Sequence, residues 1–160
     1  MIKLGTMVRF SHETQGLGEL KTAFENVKKY GLPTCQLCCW DMSKFTDENA
    51  AGIREIVKET GVEISALWCG WEVAPTWDFI DGYHTIGLVP IAYRARRVQN
   101  LKDGSDFAKK IGVKHVATHV GFLPENQKTD EYTAVVEAIR EVARHCKENG
   151  QYFLFETGQE

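Results

Sequence analysis

Four times along this chain, a charged helical end meets a glycine that leads directly into an apolar run. The four are Lys28-Lys29-Tyr30-Gly31 before residues 32–37, Lys58-Glu59-Thr60-Gly61 before 62–67, Lys109-Lys110-Ile111-Gly112 before 113–117, and Lys147-Glu148-Asn149-Gly150 before 151–155. Glycine takes the left-handed conformation that ends a helix, and lysine in the last turn suits the negative end of the helix dipole. Apolar residues at helical spacing precede each copy: Leu20, Phe24 and Val27; Ile53, Ile56 and Val57; Ile91, Ala95, Val98, Leu101, Ser105 and Ala108; Val135, Ile139, Val142 and Cys146. Pro90 opens the third of these helices, and Gly104 is expected to bend it. With an opening strand near residues 2–6, the order becomes β-α-β-α-β-α-β-α-β. Strands alternating with helices predict a parallel sheet covered by helices, an α/β fold.

Two architectures accommodate that order. One is a five-stranded doubly wound sheet. The other is a partial (β/α)8 barrel, about four βα units plus a fifth strand. A full barrel takes about 250 residues, whereas this chain has 160. Residues 151–155 read as a strong strand, and only five residues follow it. A doubly wound domain usually closes with a helix, so the ending favours the barrel. Residues 1–160 are therefore read as a single domain, with the expectation that it is cut short after its fifth strand.

Composition narrows the partners. With 43% hydrophobic and 26% charged residues the chain has the makeup of a folded domain. A net charge of −3 without a basic block makes neither nucleic acid nor an anionic membrane the expected partner. No apolar run approaches the roughly 18 residues of a membrane span, and the first residues hold no signal-peptide core, so a cytoplasmic protein is expected. The five cysteines stand at 35, 38, 39, 69 and 146, an odd and irregular set unlike a disulfide framework. Cys35-Gln36-Leu37-Cys38 spells C-x-x-C, but on an extended stretch residues three apart point to opposite faces. These cysteines read as small buried residues.

In parallel α/β folds the chemistry gathers at the C-terminal ends of the strands. Those ends lead in order to Met7, Arg9, Phe10 and His12; to Trp40-Asp41; to Trp68-Cys69-Gly70-Trp71; to Thr118-His119-Val120-Gly121; and to Glu156-Thr157. His119 and Glu156 at adjacent strand ends reach the same small volume and form the leading constellation. Glu156 has two readings, a carboxylate that moves a proton or binds a hard cation, or a turn-starting residue. His119 is a ligand or substrate hydrogen-bonder, or else a satisfied loop histidine. Trp40, Trp68 and Trp71 are candidate substrate-binding faces, since indole rings stack on sugar C–H faces; a hydrophobic plug is the competing account. Trp77 belongs to the same long loop, which runs to about Leu88. His115 and His145 read as structural, while His12 and His84 stay open. Arg94, Arg96 and Arg97 read as the solvated face of a long helix rather than a phosphate site. Gly16-Leu17-Gly18 lacks the third glycine of a dinucleotide fingerprint, and neither a phosphate loop nor a G-x-S-x-G elbow occurs.

The series Trp68-Cys69-Gly70-Trp71, Thr85-Ile86-Gly87-Leu88-Val89-Pro90 with Tyr93, Arg94 and Arg97, then Ala117-Thr118-His119-Val120-Gly121-Phe122, closing on Phe155-Glu156-Thr157-Gly158-Gln159-Glu160, resembles the sugar phosphate isomerase/epimerase family of xylose isomerase-like TIM barrels. The resemblance covers essentially the whole chain. It implies a sugar or sugar phosphate substrate and proton transfer next to a ketose carbonyl through an enediolate. It also implies a divalent metal (Mn2+, Mg2+ or Zn2+) held by Glu, Asp, His and Glu. Glu156 matches the first of these as metal ligand and acid/base, and His119 occupies a position that contacts substrate or metal in relatives. The other three ligands would lie beyond Glu160, so the isolated chain is expected to be inactive. Related apurinic-site endonucleases carry a zinc-binding His where this chain has Trp68-Cys69-Gly70-Trp71, which makes DNA repair the weaker reading. Dehydratase chemistry on inositol-like ketones also stays open. A different class of reading is a catalytically inactive half-barrel acting as an assembly or binding module, a homo-oligomer joined through exposed sheet edges.

Overall fold

The computed structural model describes residues 2–11 and 16–157. Five strands, β1 (Gly5–Arg9), β2 (Thr34–Cys39), β3 (Glu63–Cys69), β4 (His115–His119) and β5 (Tyr152–Glu156), form one sheet in the order β1-β2-β3-β4-β5, every pair parallel. Between them run α1 (Leu17–Lys29), α2 (Asp47–Thr60), a four-residue α3 (Gly82–Thr85), α4 (Ile91–Lys110) and α5 (Asp130–Glu148). Right-handed crossovers between strands laid down in sequence put every helix on one face of the sheet. A doubly wound sheet needs a reversal of strand order, and none occurs here. The architecture is five strands of a (β/α)8 barrel.

The glycine punctuation is realised at all four positions. Gly31, Gly61, Gly112 and Gly150 have φ of 72°, 72°, 80° and 74°. At three of them the next residue's N–H folds back to the helix: Leu32 to the Val27 carbonyl, Val113 to Ala108 and Gln151 to Cys146. That satisfies carbonyls a helix end leaves open. At the other ends, the Thr46 hydroxyl accepts from the Asn49 N–H at 3.1 Å and the Thr129 hydroxyl from the Tyr132 N–H at 3.2 Å, capping α2 and α5.

Strand alternation divides the sheet into two faces. Val8, Cys35, Leu37, Cys39, Leu67, Cys69 and Val116 point toward the helices and join Leu20, Phe24, Ile53, Leu101, Phe107 and Val142 in the main core. Cys38, Trp68 and Ala117 point the other way and form a separate small cluster with Trp40. Cys35 and Cys38 thus lie on opposite faces, and all five cysteines are free and buried. Among the described residues no helix is long and apolar enough to cross a membrane.

Three local expectations are corrected. The first strand is Gly5–Arg9 rather than residues 2–6, because Val8 and Phe10 are the residues that reach the core while Ile2 and Leu4 stay exposed. Met7 and Arg9 are consequently strand residues, not part of the turn that follows. α4 runs unbroken through Gly104, where the missing side chain lets the helix close on Cys69 Sγ. Its buried stripe begins at Arg97 and Val98; Ile91 is 83% exposed. Ser105, one of the polar members of that stripe, donates to Gln151 Oε1 at 2.5 Å.

Candidate active site

Parallel pairing brings all five strand C-termini to one edge. Register sets β4 and β5 level there, with His119 opposite Glu156. Trp68, near the end of β3 on the helix-free face, donates its indole N–H to Glu156 Oε2. Arg9 pairs in register with Cys38 on the same face. Burial pushes the Cys38 thiol up, with Trp40 and Arg9 opposing and Glu156 reinforcing that shift.

Trp40 is the hub of an aromatic cluster above this edge. Its ring centre lies 4.8 Å from Trp68, 4.9 Å from Trp71 and 6.1 Å from Trp77. Gly70 makes this possible, since a Cβ at that position would overlap the Trp40 ring. Trp77, on the loop after β3, packs edge-on against His119 with centres 5.4 Å apart. His119 is 3% exposed, and its Nδ1 accepts the Gly121 N–H at 3.2 Å. A ring nitrogen that accepts carries no proton, so the neutral ring holds its proton on Nε2.

The candidates do not share one depth. Glu156 is exposed and Trp40 half-buried, whereas Trp71 is 2% exposed and lies in a layer beneath Trp40. Asp41 uses its carboxylate to cap the short turn Met42–Lys44, accepting from the Ser43 N–H at 3.0 Å. His115 Nδ1 lies 3.0 Å from the Ser65 carbonyl and its ring stacks on Tyr152; His145 pairs with Asp106 at 2.7 Å. His84 is exposed on α3, and His12 lies outside the described residues.

The arginine cluster is not a solvated face. Arg94 donates to the Leu88 and Val89 carbonyls, and Arg97 is fully buried. Arg96 alone keeps to the surface, paired with Glu72 at 3.0 Å. Sequence reasoning missed Arg97, although its three-residue spacing from Arg94 and Asn100 along one helical stripe was the available signal. The loop these arginines hold, residues 72–90, is also docked at Gly87 and Gly121, where Leu88 N–H reaches the Val120 carbonyl at 2.8 Å. A Cβ on Gly87 would run into the Val120 backbone.

Among the described residues no group of three or more His, Cys, Asp or Glu is placed to hold a metal ion. Glu156 is a single hard-oxygen donor, and one of its oxygens is engaged by Trp68.

A family model described as xylose isomerase-like TIM barrel matches residues 24–159. No match was found among the curated proteins. Of solved structures, a xylose isomerase domain protein from Planctomyces limnophilus superposes with a TM-score of 0.85 at 27% identity, over 99% of this chain and 55% of that one. A D-allulose 3-epimerase from Methylomonas sp. gives 0.67 at 11% identity, over 98% and 53%. A D-psicose 3-epimerase from Clostridium cellulolyticum H10 gives 0.63 at 16% identity, over 98% and 52%. The chain spans about half the length of these structures.

Proposed function

This chain belongs to the xylose isomerase-like TIM barrel family, and on that premise we propose that it carries one side of the active site of a sugar or sugar-phosphate isomerase/epimerase. The observation behind this is Glu156 at the mouth of the sheet, held by Trp68 and level with His119, under a roof of tryptophans. Glu156 is the acid/base. Its carboxylate takes the proton from the carbon beside a ketose carbonyl; the C–H electron pair forms the new C=C bond and the carbonyl π pair moves onto oxygen, giving an enediolate. Return of a proton to the opposite face completes an epimerisation; return to the neighbouring carbon completes an isomerisation. His119 is proposed to assist as a hydrogen-bonding partner of substrate oxygens. The faces of Trp40 and Trp68 line the sugar site, with Trp71 supporting them from beneath.

A divalent cation (Mn2+, Mg2+ or Zn2+) would polarise the carbonyl and stabilise the enediolate. The described residues offer it one ligand, Glu156, which falls short of a site. Small sugar substrates agree with the proposed cytoplasmic setting.

The test is deuterium uptake from D2O at the carbon beside the carbonyl of phosphorylated and unphosphorylated ketoses, with each cation. Uptake is expected for the protein purified from its source cells, is lost in Glu156→Gln, and is absent for the isolated 160-residue chain. Failure of the source protein to label any ketose would overturn the reading. A second reading, an inactive half-barrel that assembles with itself, is favoured by the open flank of β5, where Tyr152 and Phe155 are 66% and 51% exposed.

A further inference from the structure

We propose that Arg97 is the positioning residue of the site's loop wall: its guanidinium ties the two ends of the 72–90 segment together and so fixes Trp71 and Trp77 against Trp40 and His119. What that wall faces rests on the ketose reading above; the clamp itself does not.

Arg97 is fully buried, and the partners of its guanidinium are backbone carbonyls: Gly87 at 2.7 Å from Nη1, Val73 at 3.2 Å from Nη2 and Glu72 at 3.4 Å from Nε. The first lies near the end of the loop and the other two at its start. Its neighbours on the same helical stripe each hold one end only. Asn100 Oδ1 accepts the Glu72 N–H at 3.1 Å, and Arg94 Nε donates to the Leu88 carbonyl at 2.7 Å. Of these three stripe residues Arg97 is the one that spans both; farther along the loop, the Thr85 hydroxyl ties the two arms again at Thr76. Burying a charge without a paired carboxylate is costly, and here the cost is offset by three carbonyls and two aromatic faces. The guanidinium carbon lies 5.1 Å from the centre of Trp71 and 4.9 Å from that of Tyr93. A planar fork of five donors reaches carbonyls in different directions at once, which a lysine's point charge does not. From the clamp, contacts run from Trp71 to Trp40, from Trp40 to Trp68, and from Trp68 to Glu156.

Hydrogen exchange on the wild-type chain is the first measurement. The Glu72 and Leu88 amides are expected to exchange as slowly as those of α4, and residues 77–80 faster. Ends that exchange at the rate of the tip would overturn the clamp. Arg97→Lys keeps the charge and loses the fork. Its far-UV circular dichroism is expected to match wild type, while the near-UV bands of the tryptophan cluster weaken. Exchange at 72–73 and 87–88 should speed up at least about tenfold, with β4 and β5 unchanged. An Arg97→Lys protein with wild-type near-UV spectrum and exchange would also overturn it; should that variant not fold, the wild-type exchange pattern decides. Ketose titration followed by tryptophan fluorescence separates the two claims. Slow loop ends in a protein purified from its source cells that ignores every ketose retire the substrate reading and leave the clamp standing.

Discussion

Cys35 and Cys39 project from β2 into the helix-facing core, and burial holds both thiols up to about 12 from an ordinary 9.0. In the unfolded chain they ionise near the ordinary value. Between the two, the unfolded state binds fewer protons than the folded one, so stability falls as pH rises above about 9. Each thiol contributes up to about 1.4 kcal/mol per pH unit in that window. Urea unfolding of wild type from pH 8 to roughly 10.5 should show this decline, and Cys35→Ala with Cys39→Ala should make it shallower, the buried thiols of Cys38, Cys69 and Cys146 keeping the remainder; an unchanged slope would refute the assignment. The buried character of these cysteines was legible from strand alternation alone, as was the placement of His119 and Glu156 at neighbouring strand ends. Arg97 was not. Its spacing from Arg94 and Asn100 marked the stripe, but its acceptors are carbonyls, which every residue type carries, so the clamp itself left no pattern to read.

Secondary-structure elements end here for reasons that local chemistry dictates, which is why the helix–glycine–strand boundaries could be read directly. The first strand could not, because its apolar run includes Ile2 and Leu4, which the fold leaves exposed. Hydropathy marks candidates for burial; only the partner strand decides the register. Two glycines with nearly the same φ separate local from tertiary demands. Gly61, at φ 72°, has open space where a Cβ would go, whereas Gly87, at φ 69°, abuts the Val120 backbone. Gly61→Ala should therefore cost about 1 kcal/mol, the conformational penalty alone. Gly87→Ala should cost clearly more, because it must also push the 72–90 loop off the end of β4. Chemical denaturation of both variants checks the ranking, and equal costs would mean that the loop yields freely.

At the scale of the whole sheet, the helix-free face and the two outer strands are the surfaces that the described residues leave uncovered. Among the described residues β5 has a neighbour on one side only and presents Tyr152, Leu154 and Phe155 to solvent, while β1 is the opposite edge. Unpaired strand edges carrying apolar side chains invite pairing. Sedimentation velocity on the 160-residue chain should show concentration-dependent dimers or larger species. Leu154→Lys and Phe155→Lys, which place charge on that edge, should return it to monomer; a wild-type chain that is monomeric throughout would count against self-assembly. The strand order has a consequence for biosynthesis as well. Among the described residues no strand is inserted between two made earlier, so each βα unit leaving the ribosome follows the strand it will pair with. Every pairing of this sheet joins strands that are consecutive in the sequence, which keeps the chain closed by each contact short.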